Sequence, residues 1–149
     1  MYQAKTHGRQ FCLGVPEPLE YDFVIFDSDG VKDDIAGLTC LGMSGGYGSF
    51  KLEVFVSGEH SYRKVFDSEQ YEISESTYNQ LSRNIDGELM IDAFCSVETA
   101  DIGKEGCEEL ICKQYAWVDC HSNHIGNVVS VFKVFAHEIM FCDIYWELC

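Results

Sequence analysis

The chain has 149 residues, 46% of them hydrophobic and 13% aromatic, which is one domain's length and too apolar for a disordered chain. Twenty-five acids against ten Lys and Arg give a formal net charge of −15, which argues against direct contact with nucleic acid or an anionic membrane and favours a basic partner. No stretch reaches the ~18 apolar residues of a membrane helix.

Residues 1–14 lack the apolar stretch of a secretory signal, so a cytoplasmic location with the eight cysteines reduced is expected. Pro16 and Pro18 mark an extended lead-in. Phe23 to Phe26 reads as a strand and Ser28-Asp29-Gly30 as a turn. Leu38 to Gly48 is glycine-rich, a mobile loop or a bulged connection. Phe50, Leu52, Val54 and Val56 alternate with Lys51, Glu53 and Phe55 as in a half-buried strand. Residues 57–60 turn the chain and Tyr62 to Phe66 returns, which makes a hairpin.

The period then changes. Tyr78, Leu81 and Ile85 fall on one helical face, with Ser74 as N-cap and Asp86-Gly87 as the stop. Glu88 to Cys95 alternates as a strand. Lys104 to Lys113 reads as a second short helix, weakened by Gly106. Tyr115 to Asp119, Val128 to Phe135 and Glu138 to Leu148 carry the β-branched and aromatic residues of strands. The expected fold is α+β: mostly antiparallel sheet with one or two short helices, in a single compact domain.

Charge is densest between residues 67 and 109. Twelve acids there face only Arg83 and Lys104. Ten of them form the expected partner-binding set: Asp67, Glu69, Glu72, Glu75, Asp86, Glu88, Asp101, Glu105, Glu108 and Glu109. The other two are Asp92 and Glu98. Such a face would sit in a Lys/Arg groove that normally holds phosphates. The expected partner is therefore a basic protein, in particular a nucleic-acid-processing enzyme. In size, charge and lack of a site motif the chain resembles two types of inhibitor: phage anti-defence proteins (anti-CRISPR and anti-restriction) and the immunity proteins that block toxin nucleases.

Two stretches suggest chemistry instead. "VIFDSDGV" resembles the first motif of the haloacid dehalogenase superfamily, an apolar strand followed by Asp-x-Asp-Gly-Val. The resemblance implies a phosphatase with Asp27 as nucleophile, Asp29 as general acid/base and Mg²⁺ between them. Val54 to Ser57 would be its second motif. The family's fold is a parallel α/β sheet with a helix after the first loop and an acidic pair at a later strand end. Here Asp92 and Asp119 each stand alone. The second stretch holds Cys107, Cys112, Cys120, His121 and His124. These are ligand types for zinc in a spacing without the usual C-x2-C knuckle, and they would serve a zinc-stabilised interaction module. Cys120 beside His121 is a poor thiol–base pair, because neighbours in a strand face opposite ways. The glycines at 42, 45, 46 and 48 lack the Lys-Ser/Thr of a phosphate loop.

Overall fold

A computed structural model describes residues 21–28, 32–44, 47–104, 106–135 and 138–148. The strands are β1 Tyr21–Asp27, β2 Lys32–Ser44, β3 Tyr47–Ser57, β4 Tyr62–Asp67, β5 Leu89–Ala100, β6 Glu109–Val118, β7 Cys120–Phe135 and β8 Glu138–Leu148. A single 3₁₀ turn, Ser68–Gln70, and one α-helix, α1 Glu75–Ser82, connect β4 to β5. Each sheet is a four-stranded antiparallel meander, in the orders β1-β2-β3-β4 and β5-β6-β7-β8. The architecture is mostly β, with little helix.

The two sheets pack face to face. Phe26, Leu38, Leu52, Val54 and Val56 of the first share one core with Phe94, Leu110, Cys112, Phe132 and Val134 of the second. This is the alternation of each strand at work: one side chain in two points inward. Phe66, Tyr71, Phe94 and Phe132 form the seam, with Phe66 and Phe132 ring centres 5.2 Å apart and Tyr71 and Phe94 5.8 Å apart. Along one side of the sandwich the sheets are tied through the backbone. Glu108 N–H donates to the Asp27 carbonyl at 2.6 Å.

Helix α1 starts where its cap residue dictates. Ser74 Oγ accepts the Thr77 N–H at 3.2 Å, satisfying one of the free amides of the first turn. Leu81, with Tyr78 and Ile85, covers a second core of Leu89, Ala116, Val118 and Val128 at the end of the β5–β8 sheet. Trp146 Nε1 donates to the Leu81 carbonyl at 3.0 Å and Tyr78 Oη to that of Leu89 at 2.6 Å. Gly87 ends the segment with φ +114, a conformation suited to glycine.

One expectation needs correction. The described residues of 104–113 form no helix: Lys104 and Gly106 have φ of 55 and 86, and Glu109 opens β6. Its inward residues are Leu110, Cys112, Gln114, Ala116 and Val118, so the period is two and not 3.6. Of the two forms expected for the glycine-rich stretch, its described residues take the bulged one. β2 continues to Ser44, β3 begins at Tyr47, and the strands pair throughout with one register shift between Cys40 and Gly42.

Candidate functional site

The acids of residues 67–109 divide into those engaged by the fold and those left to solvent. Glu109 is buried, and its carboxylate accepts the backbone N–H groups of Ile102 and Gly103 at 2.8 and 3.2 Å. Glu108 accepts Asp27 N–H at 3.0 Å through one oxygen and the Thr99 hydroxyl at 3.2 Å through the other. Asp101 accepts Gly106 N–H at 2.9 Å. Asp67 accepts Glu69 N–H at 3.0 Å at the head of the 3₁₀ turn and the Lys64 ammonium at 2.9 Å. Burial pushes the Asp67 carboxyl up, yet the hydrogen bonds from Lys64 and the Glu69 amide together hold it below the usual carboxylate range. Glu69 is exposed, with Lys51 3.5 Å away. Glu105 lies outside the described residues.

Glu72, Glu75, Asp86 and Glu88 differ. All four are exposed, and none has a side-chain hydrogen bond or ion pair among the described residues. They flank α1 on both sides. Glu75 stands in the helix's first turn, where the helix dipole favours a negative charge. Exposed Asp119 joins them, because its Oδ1 accepts Glu88 N–H at 2.8 Å and its own N–H donates to the Glu88 carbonyl at 3.1 Å. The result is an acidic shoulder at the helix-capped end of the sandwich, with Arg83 as the one base within residues 72–88.

The phosphatase motif is in a different setting from the one its resemblance implies. Asp27 ends β1, which pairs antiparallel with β2, Asp27 lying opposite Lys32. The parallel sheet and following helix of the dehalogenase family are replaced by this hairpin. The hydroxyl of Ser28 donates to buried Asp34, whose other oxygen accepts Ser57 N–H at 3.0 Å. Asp34 thus ties the end of β1 to the end of β3. Asp29 lies outside the described residues.

The zinc candidates are split by the sheet itself. Cys112 is fully buried between the two sheets, where burial pushes its thiol far up. His121 and His124 stack on the ring of Tyr115, three residues further along β6 and therefore on the opposite face. Cys120 is exposed at the β6–β7 turn, and Cys107 is half-buried before β6. Among the described residues no three His, Cys, Asp or Glu side chains converge on a metal position.

A histidine–aromatic cluster emerges that sequence reasoning did not assemble. β5 bulges between Ile91 and Phe94, and β7 slips against β6 on both sides of Trp117. The β5 bulge presents Asp92 to the outer face. Its Oδ2 lies 2.7 Å from His121 Nε2 and its Oδ1 accepts Trp117 Nε1–H at 3.0 Å. Tyr115 stacks on His124 at 4.0 Å and donates its hydroxyl hydrogen to the His121 carbonyl at 2.9 Å. A carboxylate–imidazole pair can hold a proton. The nearby Cys120 thiol contacts the Ser122 hydroxyl at 3.5 Å, so the cluster locks two bulges more plainly than it arms a nucleophile. Its one sequence signal was Asp92, the only charged residue between Leu89 and Cys95.

The chain matches no family model, no curated protein and no solved structure. Among the described residues no helix is long and apolar enough to cross a membrane.

Proposed function

We propose that the chain is a non-enzymatic acidic binding protein that occludes a basic surface of a cytoplasmic partner, the surface with which a nucleic-acid-processing enzyme holds phosphates. Its action would be of the type used by phage inhibitors of host defence and by immunity proteins. The supporting observation is the shoulder. Glu72, Glu75, Asp86 and Glu88 are exposed without a partner among the described residues, on a chain of net charge −15. Carboxylates in that state remain available to cations of another molecule. Long-range attraction speeds the encounter, and desolvated contacts around the charges then set the lifetime of the complex.

The test is affinity capture from a nuclease-treated bacterial lysate with two baits. One is the wild-type chain. The other carries Glu72→Gln, Glu75→Gln, Asp86→Asn and Glu88→Gln. The expected result is a basic nucleic-acid enzyme retained by the wild type at low salt, released at high salt, and absent from the neutralised bait. Equal retention by both baits would remove these acids from the mechanism.

A further inference from the structure

The strand edges of the sandwich are not alike. β1 lies against β5, and the Asp27 carbonyl at its end accepts the N–H of Glu108, just before β6. β4 is six residues long and carries Arg63 and Lys64, and cationic side chains discourage edge-to-edge pairing. β8 is protected only at its start, where Glu138 and Ile139 share a cavity with Arg63, Lys64 and Val65 of β4. Among the described residues it is the edge of its sheet, it runs for 11 residues, and eight of them are exposed. It contains no Lys, Arg, Pro or Gly. Its one irregularity is the register shift opposite Val131 and Phe132.

Apolar exposure is concentrated on the same strand. Of the seven large hydrophobic residues exposed among the described ones, Met140, Phe141, Tyr145 and Leu148 lie on β8, and Phe135 ends β7 beside it. Leu148 is 67% exposed and Phe141 52%. The backbone is presented as well. Ile144 N–H donates to its neighbour's Asp143 Oδ1 at 2.8 Å, so this amide points away from β7. By the two-residue period of a strand, the amides of Trp146 and Leu148 point the same way.

From this geometry we infer that β8 is a docking edge that accepts an extended, basic-and-apolar strand from a partner protein by antiparallel or parallel β-augmentation. The side chains decide the chemistry of the occupant. Asp143, Tyr145 and Glu147 alternate on the outer face; Glu147 already pairs with Lys113 at 2.9 Å and accepts from Asn127 at 3.1 Å, so a matching strand places its basic residue against Asp143 and an apolar one against the tyrosine. A cation arriving at Asp143 also draws its carboxylate off the Ile144 amide and opens that donor for pairing. A second copy of this chain is disfavoured, because it brings another three β8 acids and another net −15 to the same edge. The inference rests on the reading of the chain as a binder of basic partners, and adds how the partner is held once the shoulder has attracted it.

The probe is an end-blocked peptide of alternating Lys and Val, about nine residues long to match a strand. Its control is the same peptide with every second backbone nitrogen methylated, which keeps the charge and abolishes pairing along one edge. The expected result is binding at least about tenfold tighter for the unmethylated peptide, as two or three backbone hydrogen bonds allow. Slowed hydrogen exchange at the Trp146 and Leu148 amides should accompany it. Leu148→Pro removes one outward amide at an exposed position, and should weaken binding without lowering the melting temperature. Equal affinity for both peptides, or undiminished binding by Leu148→Pro, overturns the edge inference and leaves the shoulder reading standing. A chain that sediments alone as a dimer, and as a monomer after Tyr145→Lys, overturns the choice of occupant. The four-site neutral variant addresses the shoulder separately. Unchanged association rates with both peptides would count against that reading and not against the edge.

Discussion

Replacing Glu109 by Ala should destabilise the protein, whereas replacing Glu88 by Gln should not. The contrast follows from where two acids of the same segment end up. Glu109 is 8% exposed and holds two backbone amides of the 101–108 turn. Hydrogen bonds to a charged group contribute about 1.5–3 kcal/mol each, or about 3–6 kcal/mol for two. Ile102 and Gly103 are themselves exposed, so water recovers part of that once the carboxylate is gone. The expected net loss is about 2 kcal/mol, which at a urea m-value near 2 kcal/mol/M moves the unfolding midpoint down by about 1 M. Glu88 is exposed with no side-chain partner among the described residues, and its replacement should stay within about 0.5 kcal/mol. Urea titration followed by tryptophan fluorescence reads both. A Glu109→Ala midpoint equal to wild type, or a Glu88→Gln midpoint equally depressed, would refute the division between engaged and available acids.

Four further outcomes follow from the same structure. Burial pushes the Cys112 thiol up, so the folded state favours the protonated form. That stability is fully present below the ordinary thiol range, about pH 8.5, and declines above it by about 1.4 kcal/mol per pH unit. Cys112→Val should flatten the decline between pH 8.5 and 10 in urea titrations, and an unchanged slope would contradict it. Asp67 has the opposite sign. Its carboxyl is held low, so its contribution is present above the ordinary carboxylate range and is lost as pH falls through its depressed pKa. Asp67→Asn keeps an acceptor for the Glu69 amide but loses the Lys64 ion pair, so it should cost up to about 1 kcal/mol at pH 7 and progressively less in acid, read by thermal melting. Gly87→Ala places a methyl 2.6 Å from Val118 Cγ1 and 2.7 Å from Asp119 Oδ2 at φ +114, and should cost about 2–3 kcal/mol. Gly106→Ala has nothing within 4 Å of the new methyl, so it should cost only its backbone strain, about 1 kcal/mol.

Much of the fold was legible because local signals agreed with the tertiary answer. Ser74 and the Tyr78–Leu81–Ile85 face marked α1, and the alternation from Phe50 to Val56 marked β3. The bounds of β8 were read to the residue, since Glu138 to Leu148 is uniformly rich in strand formers. β6 was misread for a physical reason. Its inward face includes Gln114, and its start carries two glutamates after a glycine, so the chain locally resembles a charged helix. The first half of β7, Cys120 to Asn127, was missed because the bulges around Trp117 break any period.

The candidate site was less legible. Composition located the charge but not its partners. Glu108, Glu109 and Asp101 look like surface acids in the sequence, and the fold engages each of them through backbone amides far along the chain or across a turn. The pairing of Asp92 with His121 crosses 29 residues and depends on a bulge no pattern announces. The edge at β8 was legible as a strand but not as an edge, because strand order is a tertiary property.

The most direct test of the central claim is the rate of association between this chain and its captured partner, followed by stopped-flow fluorescence across ionic strength. Between roughly 0.1 and 1 M salt the screening length falls from about 10 to about 3 Å. The account predicts an association rate that drops about tenfold over that range, with a visibly shallower dependence for the four-site variant at Glu72, Glu75, Asp86 and Glu88. A rate that ignores salt, or a variant whose dependence matches the wild type, would contradict it.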